Sequence, residues 1–237
     1  MLPYIGEFIG TMIMMIFING VVAGCVLNKT GLQGGPVMIC IGAAFGVMVP
    51  VWIFGQASGA HFNPAITIAL AAGSMFNWSL VPGYIVCQVG GAFTGAVIAY
   101  LLYADHFDAT DNPDLIRAVF CTSPTIPNFF RNLLSEIVGT FLLVFPILGM
   151  SQVPGLSAGT GKIYIWALVV AIGMCLGGLT GFAINPARDL GPRIAHAILP
   201  IRAKGPSHWG DYAIVPILGP IIGGLLAVGL FKIIPWA

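Results

Sequence analysis

Charge is what this sequence has least of. Asp, Glu, Lys and Arg make up 7% of its 237 residues, against 58% hydrophobic residues. A soluble domain usually carries about 25% charged residues. So few charges cannot cover a water-facing surface, which excludes a soluble enzyme of this size. Neither sign is in surplus: nine Lys and Arg against eight Asp and Glu give a net charge of +1. The positive field that nucleic-acid binding needs is missing, so no nucleic-acid partner is expected. Cysteine is scarce and unpatterned. Cys25, Cys40, Cys87, Cys121 and Cys175 show no CxxC spacing, which argues against a disulfide framework or zinc site and for small apolar residues buried in spans. The opening MLPYIGEF has no basic stretch or small-residue cleavage site before the apolar run, so that run reads as a retained span. What remains is a polytopic membrane protein, of mean hydropathy +0.97, whose solvent is mostly hydrocarbon.

About 20 apolar residues are needed to cross about 30 Å of hydrocarbon as a helix. Six stretches qualify: residues 5–27, 36–55, 79–103, 132–152, 162–180 and 211–234. Two more, 63–73 and 185–199, are apolar but about half a bilayer long. The longest connection, 104–130, contains Asp105, Asp108, Asp111, Asp114 and Arg117. Its acidic run reads as a plain solvated loop.

Glycine, at 32 residues, is abundant and patterned. GxxxG pairs occur inside spans at Gly6–Gly10, Gly20–Gly24, Gly42–Gly46, Gly91–Gly95, Gly173–Gly177 and Gly219–Gly223, where small residues let helix backbones approach closely. The chain also repeats itself. GEFIGT at 6–11 matches SEIVGT at 135–140, GAHFNPA at 59–65 matches GFAINPA at 181–187, and QVGGAFTG at 88–95 matches ILGPIIGG at 217–224. The order is the same in both sets. One domain, 1–237, is therefore expected, with a first repeat at 1–103, a connecting loop at 104–130 and a second repeat at 131–237. Three spans per repeat is an odd number, so the second repeat enters the membrane from the opposite side. Inversion of this kind puts the shared site near the bilayer midplane.

Asn-Pro-Ala occurs twice, at Asn63, Pro64, Ala65 and at Asn185, Pro186, Ala187. Asn is a good N-cap, and Pro suits the first helical turn, where an N–H has no partner. One such tripeptide is an ordinary helix start. Two at equivalent places in an inverted repeat, each opening a half-length helix, predict re-entrant segments whose N-termini meet in mid-membrane. Each tip carries about half a unit of positive charge, so cations and hydronium are repelled while neutral solutes feel little. The Asn side chains can donate N–H bonds to passing oxygen atoms. The non-helical stretches Gly59, Ala60, His61, Phe62 and Gly181, Phe182, Ala183, Ile184 leave carbonyls free. Irregular backbone is tolerated at membrane depth only where it lines a water-filled cavity. Donors and acceptors along one path suit hydroxyl solutes, which do both.

SGAHFNPAITIAL and TGFAINPARDLGP resemble the two signature loops of the major intrinsic protein family, the aquaporins and aquaglyceroporins, over essentially the whole chain. Within that family the chain is most similar to bacterial glycerol uptake facilitators. The resemblance implies an all-α membrane protein: six transmembrane helices plus two re-entrant half-helices in an aquaporin-like right-handed bundle. It implies a passive channel in the plasma (inner) membrane, assembled as a homotetramer with one pore per subunit. Its partners would be small neutral solutes, water and the bilayer, with no cofactor and no metal. Asp189 after the Arg of the second box, and Pro216 followed by Ile217, resemble glycerol-conducting members. Asp189 is expected to brace its loop. Carried over residue by residue, the outer selectivity filter is Arg188 as hydrogen-bond donor, Phe182 as apolar wall, Gly173 as a gap, and Ala43. Glycerol channels are expected to have a bulky Trp at that last position, so Ala43 predicts a wider filter. Glu7 and Glu136, near the starts of spans one and four, are expected to accept hydrogen bonds from the re-entrant loops. His61 is a further loop brace whose carbonyl faces the pore.

The expected activity is passive flux of glycerol and water, extended by the wide filter to other polyols, dihydroxyacetone, urea and undissociated small hydroxy acids such as lactic acid, with ions and protons excluded. A water-selective channel is the nearest alternative. A secondary active transporter also uses inverted repeats and half-helices, but usually buries a coupling carboxylate at the midplane; here the carboxylates lie near span starts or beside Arg188. An intramembrane enzyme lacks support: HExxH and facing nucleophile–base pairs are missing. With the N-terminus inside, as the family implies, Lys29, Arg117, Arg131, Arg193, Arg202 and Lys204 fall outside and only Lys162 and Lys232 inside, against the positive-inside rule.

Overall fold

Long apolar runs interrupted by Pro and Gly fold here as helices of two lengths. A computed structural model describes residues 1–156 and 158–236. Its membrane-crossing helices are α1 (Leu2–Val26), α2 (Pro36–Ser58), α4 (Val81–Leu102), α7 (Phe129–Gly149), α8 (Ala158–Thr180) and α10 (Val215–Ile233). The half-length helices are α3 (Pro64–Ala72) and α9 (Pro186–Ile198). Two short helices, α5 (Ala104–Asp108) and α6 (Pro113–Phe120), lie in the central connection. Among the described residues there is no β-strand.

Capping explains where the helix ends depart from expectation. The Asn128 side chain accepts a bond from Arg131 N, so α7 begins at Phe129 and not at 132. Residues 211–214 form a turn, so α10 begins only at Val215. At the end of α2, Gly59 adopts a left-handed conformation at φ 82°, which breaks the helix and turns the chain inward toward the first Asn.

The glycine pattern becomes close packing. α1 lies against α4, and α7 lies against α10. A methyl group built on Gly91 would come within 2.2 Å of the Phe8 carbonyl oxygen, and one on Gly223 within 2.2 Å of the Ile137 oxygen. In each case the carbonyl belongs to the residue after a repeat-start glutamate. The closest backbone contacts thus fix the two glutamates in depth and rotation.

The 104–130 segment is not the plain solvated loop its aspartates suggested. Asp105, Asp108, Asp111 and Asp114 are exposed. Between them, Phe107, Ile116, Val119 and Phe120 are buried against Val22 and Ala23 of α1, Leu27 just beyond it and Ala195 of α9. The helix α6 is capped by Asn112, opened by Pro113 and amphipathic at the spacing 116, 119, 120. The segment folds over one end of the bundle as a lid on its core.

The expectation that the cysteines are buried holds only for two of them. Cys40 and Cys121 are buried, Cys25 and Cys87 are half-buried, and Cys175 is exposed on α8. An apolar run in a membrane helix has no inward preference of its own, because lipid accepts the outer face equally well.

Adding one methyl where backbone already fills the space should separate α1 from α4. Gly91→Ala is expected to cost about 1–3 kcal/mol of stability, as overpacking does. Gly20→Ala, where a methyl meets nothing within 4 Å, should be silent. The readout is the temperature at which the size-exclusion peak of each variant in detergent is lost.

Candidate functional site

Both half-helices begin as their sequences require. Asn63 Oδ1 accepts from Ala65 N at 2.9 Å, and Asn185 Oδ1 accepts from Ala187 N at 3.0 Å and Arg188 N at 3.3 Å. Pro64 and Pro186 occupy the first helical positions. Each cap then reaches across to the other loop. Asn63 Nδ2 donates to the Ile184 carbonyl at 2.8 Å, and Asn185 Nδ2 donates to the Phe62 carbonyl at 2.8 Å. This crossed pair joins the two tips. A primary amide has two N–H donors, so each Asn keeps one N–H beyond the bond across.

The backbone leading into each tip is held in a conformation L-residues rarely adopt. Ala60 and Phe62 have φ of 53° and 47°, and Phe182 and Ile184 have φ of 39° and 44°. Such residues cost about 1–3 kcal/mol each and persist only where their surroundings over-determine them. The surroundings here are the two glutamates. Glu7 Oε1 accepts from Ser58 Oγ at 2.7 Å and His61 N at 3.0 Å. Its Oε2 accepts from Phe62 N at 2.7 Å and Gln88 Nε2 at 2.8 Å. Glu136 Oε1 accepts from Thr180 Oγ1 at 2.7 Å and Ala183 N at 3.0 Å, and Oε2 accepts from Ile184 N at 2.7 Å. With their N–H groups turned toward carboxylates, the loops present the other edge of the backbone, including Gly59, Ala60, His61, Gly181 and Ala183, to a continuous cavity of about 710 Å³.

That cavity runs past all four residues expected to form the filter. Ala43 lines it from α2 and Gly173 from α8. Phe182 packs over two glycines of α8: its ring atoms lie 3.0 Å from a methyl position on Gly173 and 2.9 Å from one on Gly177. Arg188 lines the cavity from the first turn of α9, and its Nη1 is buried with no hydrogen-bond partner among the described residues.

Asp189 does not reach solute. Its Oδ2 accepts from Thr122 N at 2.9 Å and Thr122 Oγ1 at 2.7 Å, and its Oδ1 accepts from Arg193 Nε at 2.7 Å. Arg193 Nη2 donates to the Thr122 carbonyl at 2.9 Å. This fully buried pair clamps the segment just after α6 to α9. His61 Nδ1 lies 3.1 Å from Thr67 Oγ1, and its ring packs on Phe76 and Tyr84.

The far ends of both half-helices are capped by lysines. Lys232 Nζ donates to the Gly73 carbonyl at 3.1 Å, and Lys204 Nζ donates to the carbonyls of His196 at 3.1 Å and Ala197 at 2.8 Å. Cations at a helix C-terminus oppose its negative dipole end. Arg117 pairs with Asp114 at 2.8 Å, and Arg202 pairs with Asp111 at 2.6 Å. Local pairing thus accounts for four of the six cations on the side that the positive-inside rule would leave poor in them.

Several supporting residues were not singled out in the sequence. Tyr84 OH donates to the Ser58 carbonyl at 2.8 Å, and Tyr212 OH donates to the Thr180 carbonyl at 3.4 Å. Gln88 bridges Glu7 to Thr67. A signal for one pair was present: a hydroxyl residue precedes the loop glycine in both repeats, Ser58 before Gly59 and Thr180 before Gly181.

Six crossing helices, two half-helices meeting tip to tip and a continuous passage between them define a membrane channel. The family model for the major intrinsic proteins matches residues 2–231, and this chain belongs to that family. It is 49% identical over 230 residues to a probable glycerol uptake facilitator protein of Thermotoga maritima, covering 97% of each chain. It is 42% identical over 227 residues to a D/L-lactic acid transporter of Lactiplantibacillus plantarum, covering 94% of this chain and 93% of that one. Among solved structures, the aquaglyceroporin from Plasmodium falciparum superposes with a TM-score of 0.85 at 28% identity, over 97% of this chain and 94% of the other. The protein is a multi-pass membrane channel for small uncharged solutes, passive and not an enzyme.

Removing a glutamate brace leaves two strained loop N–H groups without their acceptor. Each unpaired buried donor costs about 1–3 kcal/mol. Glu7→Ala and Glu136→Ala are each expected to lower solute flux per inserted molecule about tenfold or more on that basis. Lys204→Met should lower melting temperature by the loss of about 0.3–1 kcal/mol while leaving the ratio of water to solute flux unchanged. Proteoliposome swelling and thermal melts read the two outcomes.

Proposed function

We propose that the chain is a glycerol-conducting pore with an unusually open outer filter. Glycerol and water are its main solutes. Other polyols, dihydroxyacetone, urea and undissociated small hydroxy acids such as lactic acid follow. The observation that carries this reading is the crossed bonding of Asn63 and Asn185 to the opposite loop, in the middle of a cavity that also holds Arg188. A hydroxyl solute entering there meets the open Arg188 donor, then loop carbonyls, then the second N–H of each Asn, and each contact replaces part of its hydration.

In this reading Asn63, Pro64, Ala65, Asn185, Pro186 and Ala187 form the midpoint. Ala43, Gly173, Phe182 and Arg188 form the filter. Glu7, Glu136, His61 and Asp189 hold the loops. Residues 1–103 and 131–237 are the two inverted repeats, joined by 104–130; residue 237 lies outside the described residues. Four copies assemble in the plasma membrane, one pore in each.

The width argument rests on Ala43. It is buried beside Met14, Ile18 and Phe62 and contributes a single methyl to the cavity wall. A narrow filter built round a large ring would reject branched or longer solutes by steric exclusion; a methyl does not.

Stopped-flow light scattering on proteoliposomes across a ladder of polyol sizes tests the reading. Glycerol, four-carbon and five-carbon polyols should all enter faster than in empty liposomes; entry of water alone would overturn it. Ala43→Trp should slow the larger polyols more than water. Lactic acid uptake should rise as external pH falls toward the acid's own pKa, because only the neutral form crosses the positive midplane. Uptake that ignored pH would contradict that part.

A further inference from the structure

Two small residues leave one side of the filter with little to define its width. Ala43 offers a methyl and Gly173 no side chain. The next group along that wall is a thiol. Cys40 lies three residues before Ala43, on the same face of α2, and both line the channel cavity. Its side chain is buried, at 5% exposure. A methyl placed on Gly173 would lie 2.9 Å from Cys40 Sγ and 3.0 Å from Phe182 Cζ. The thiol and the edge of the ring therefore close on one spot of α8.

We propose that Cys40 is a specificity-determining residue of this channel: its thiol, set against Gly173 beside the Phe182 ring, fixes the width of the outer constriction. The proposal rests on the channel reading above and adds to it. Phe182 is anchored over Gly173 and Gly177, and the backbone of Arg188 is held by the Asn185 cap. Cys40 is then the side chain on the α2–α8 wall whose length sets the remaining gap. A shorter side chain there widens the gap for bulky solutes; a longer one narrows it. Water, the smallest of the solutes, is little affected by either.

The thiol also gives the wall a chemical handle. Methylmercury chloride is small and uncharged. With Cys40 it would form an S–Hg bond, while the thiol proton and the chloride leave together as hydrogen chloride. The added methylmercury stands in the constriction and obstructs it. Cys121 also lines the cavity, so a Cys121→Ala variant separates the two thiols.

The experiment compares five-carbon polyol flux with glycerol flux in proteoliposomes. Cys40→Ala should raise that ratio severalfold, and Cys40→Leu should lower it severalfold. Methylmercury chloride should slow glycerol entry through the unaltered protein and through Cys121→Ala, and leave Cys40→Ala unaffected. A ratio unchanged in Cys40→Ala, or a block that survives in Cys40→Ala, would overturn the assignment of Cys40. Failure of the channel reading would look different: the unaltered protein would pass no glycerol at all.

Discussion

The structure depends on one reciprocal contact. Each Asn at the tip of a half-helix spends one end of its amide capping its own helix and one N–H on a carbonyl of the opposite loop. Two positively polarised helix ends would otherwise repel each other in the part of the membrane where water screens least. The crossed bonds hold them together. Each Asn keeps a second N–H beyond these bonds, and both residues line the cavity.

Around that contact the protein is built in concentric supports. Glu7 and Glu136 hold the strained loops, glycine contacts hold the glutamates, and lysines cap the outer ends of both half-helices. The supports are not identical. Glu7 receives an amide from Gln88, which also reaches Thr67. The position of Gln88 in the second repeat is occupied by Ile217, and Glu136 has three donors in place of four. The second repeat gains instead the buried Asp189–Arg193 pair, which ties α9 to the lid segment at Thr122. The first repeat's loop is braced within the bundle and the second repeat's through the lid. Arg188 stands directly before Asp189 in the same helix turn, and its backbone N–H is held by the Asn185 cap.

Much of this was legible in the sequence because it is local or repeated. Asn-Pro-Ala announces a helix start from three adjacent residues, and its second copy announces the inversion. The two glutamates stand at matching places in matching motifs, and short apolar runs set the lengths of the half-helices. What stayed hidden depends on long-range contacts. Gln88 meets Glu7 across 81 residues, and Thr122 meets Asp189 across 67; neither has a neighbouring motif to mark it. The lid was missed because exposed aspartates dominate its composition, while the buried face is carried by a few positions at helical spacing. Cys175 was read as buried because an apolar helix face looks the same in sequence whether it meets a neighbour or lipid.

The central claim is that the paired tips reject charge while the passage stays open to neutral solutes. It is tested most directly by loading proteoliposomes with a pH-sensitive dye, imposing a proton gradient and a potassium diffusion potential, and following glycerol entry in the same preparation. The account predicts rapid glycerol entry while the proton gradient decays no faster than in protein-free liposomes. Glycerol entry accompanied by collapse of that gradient would contradict it.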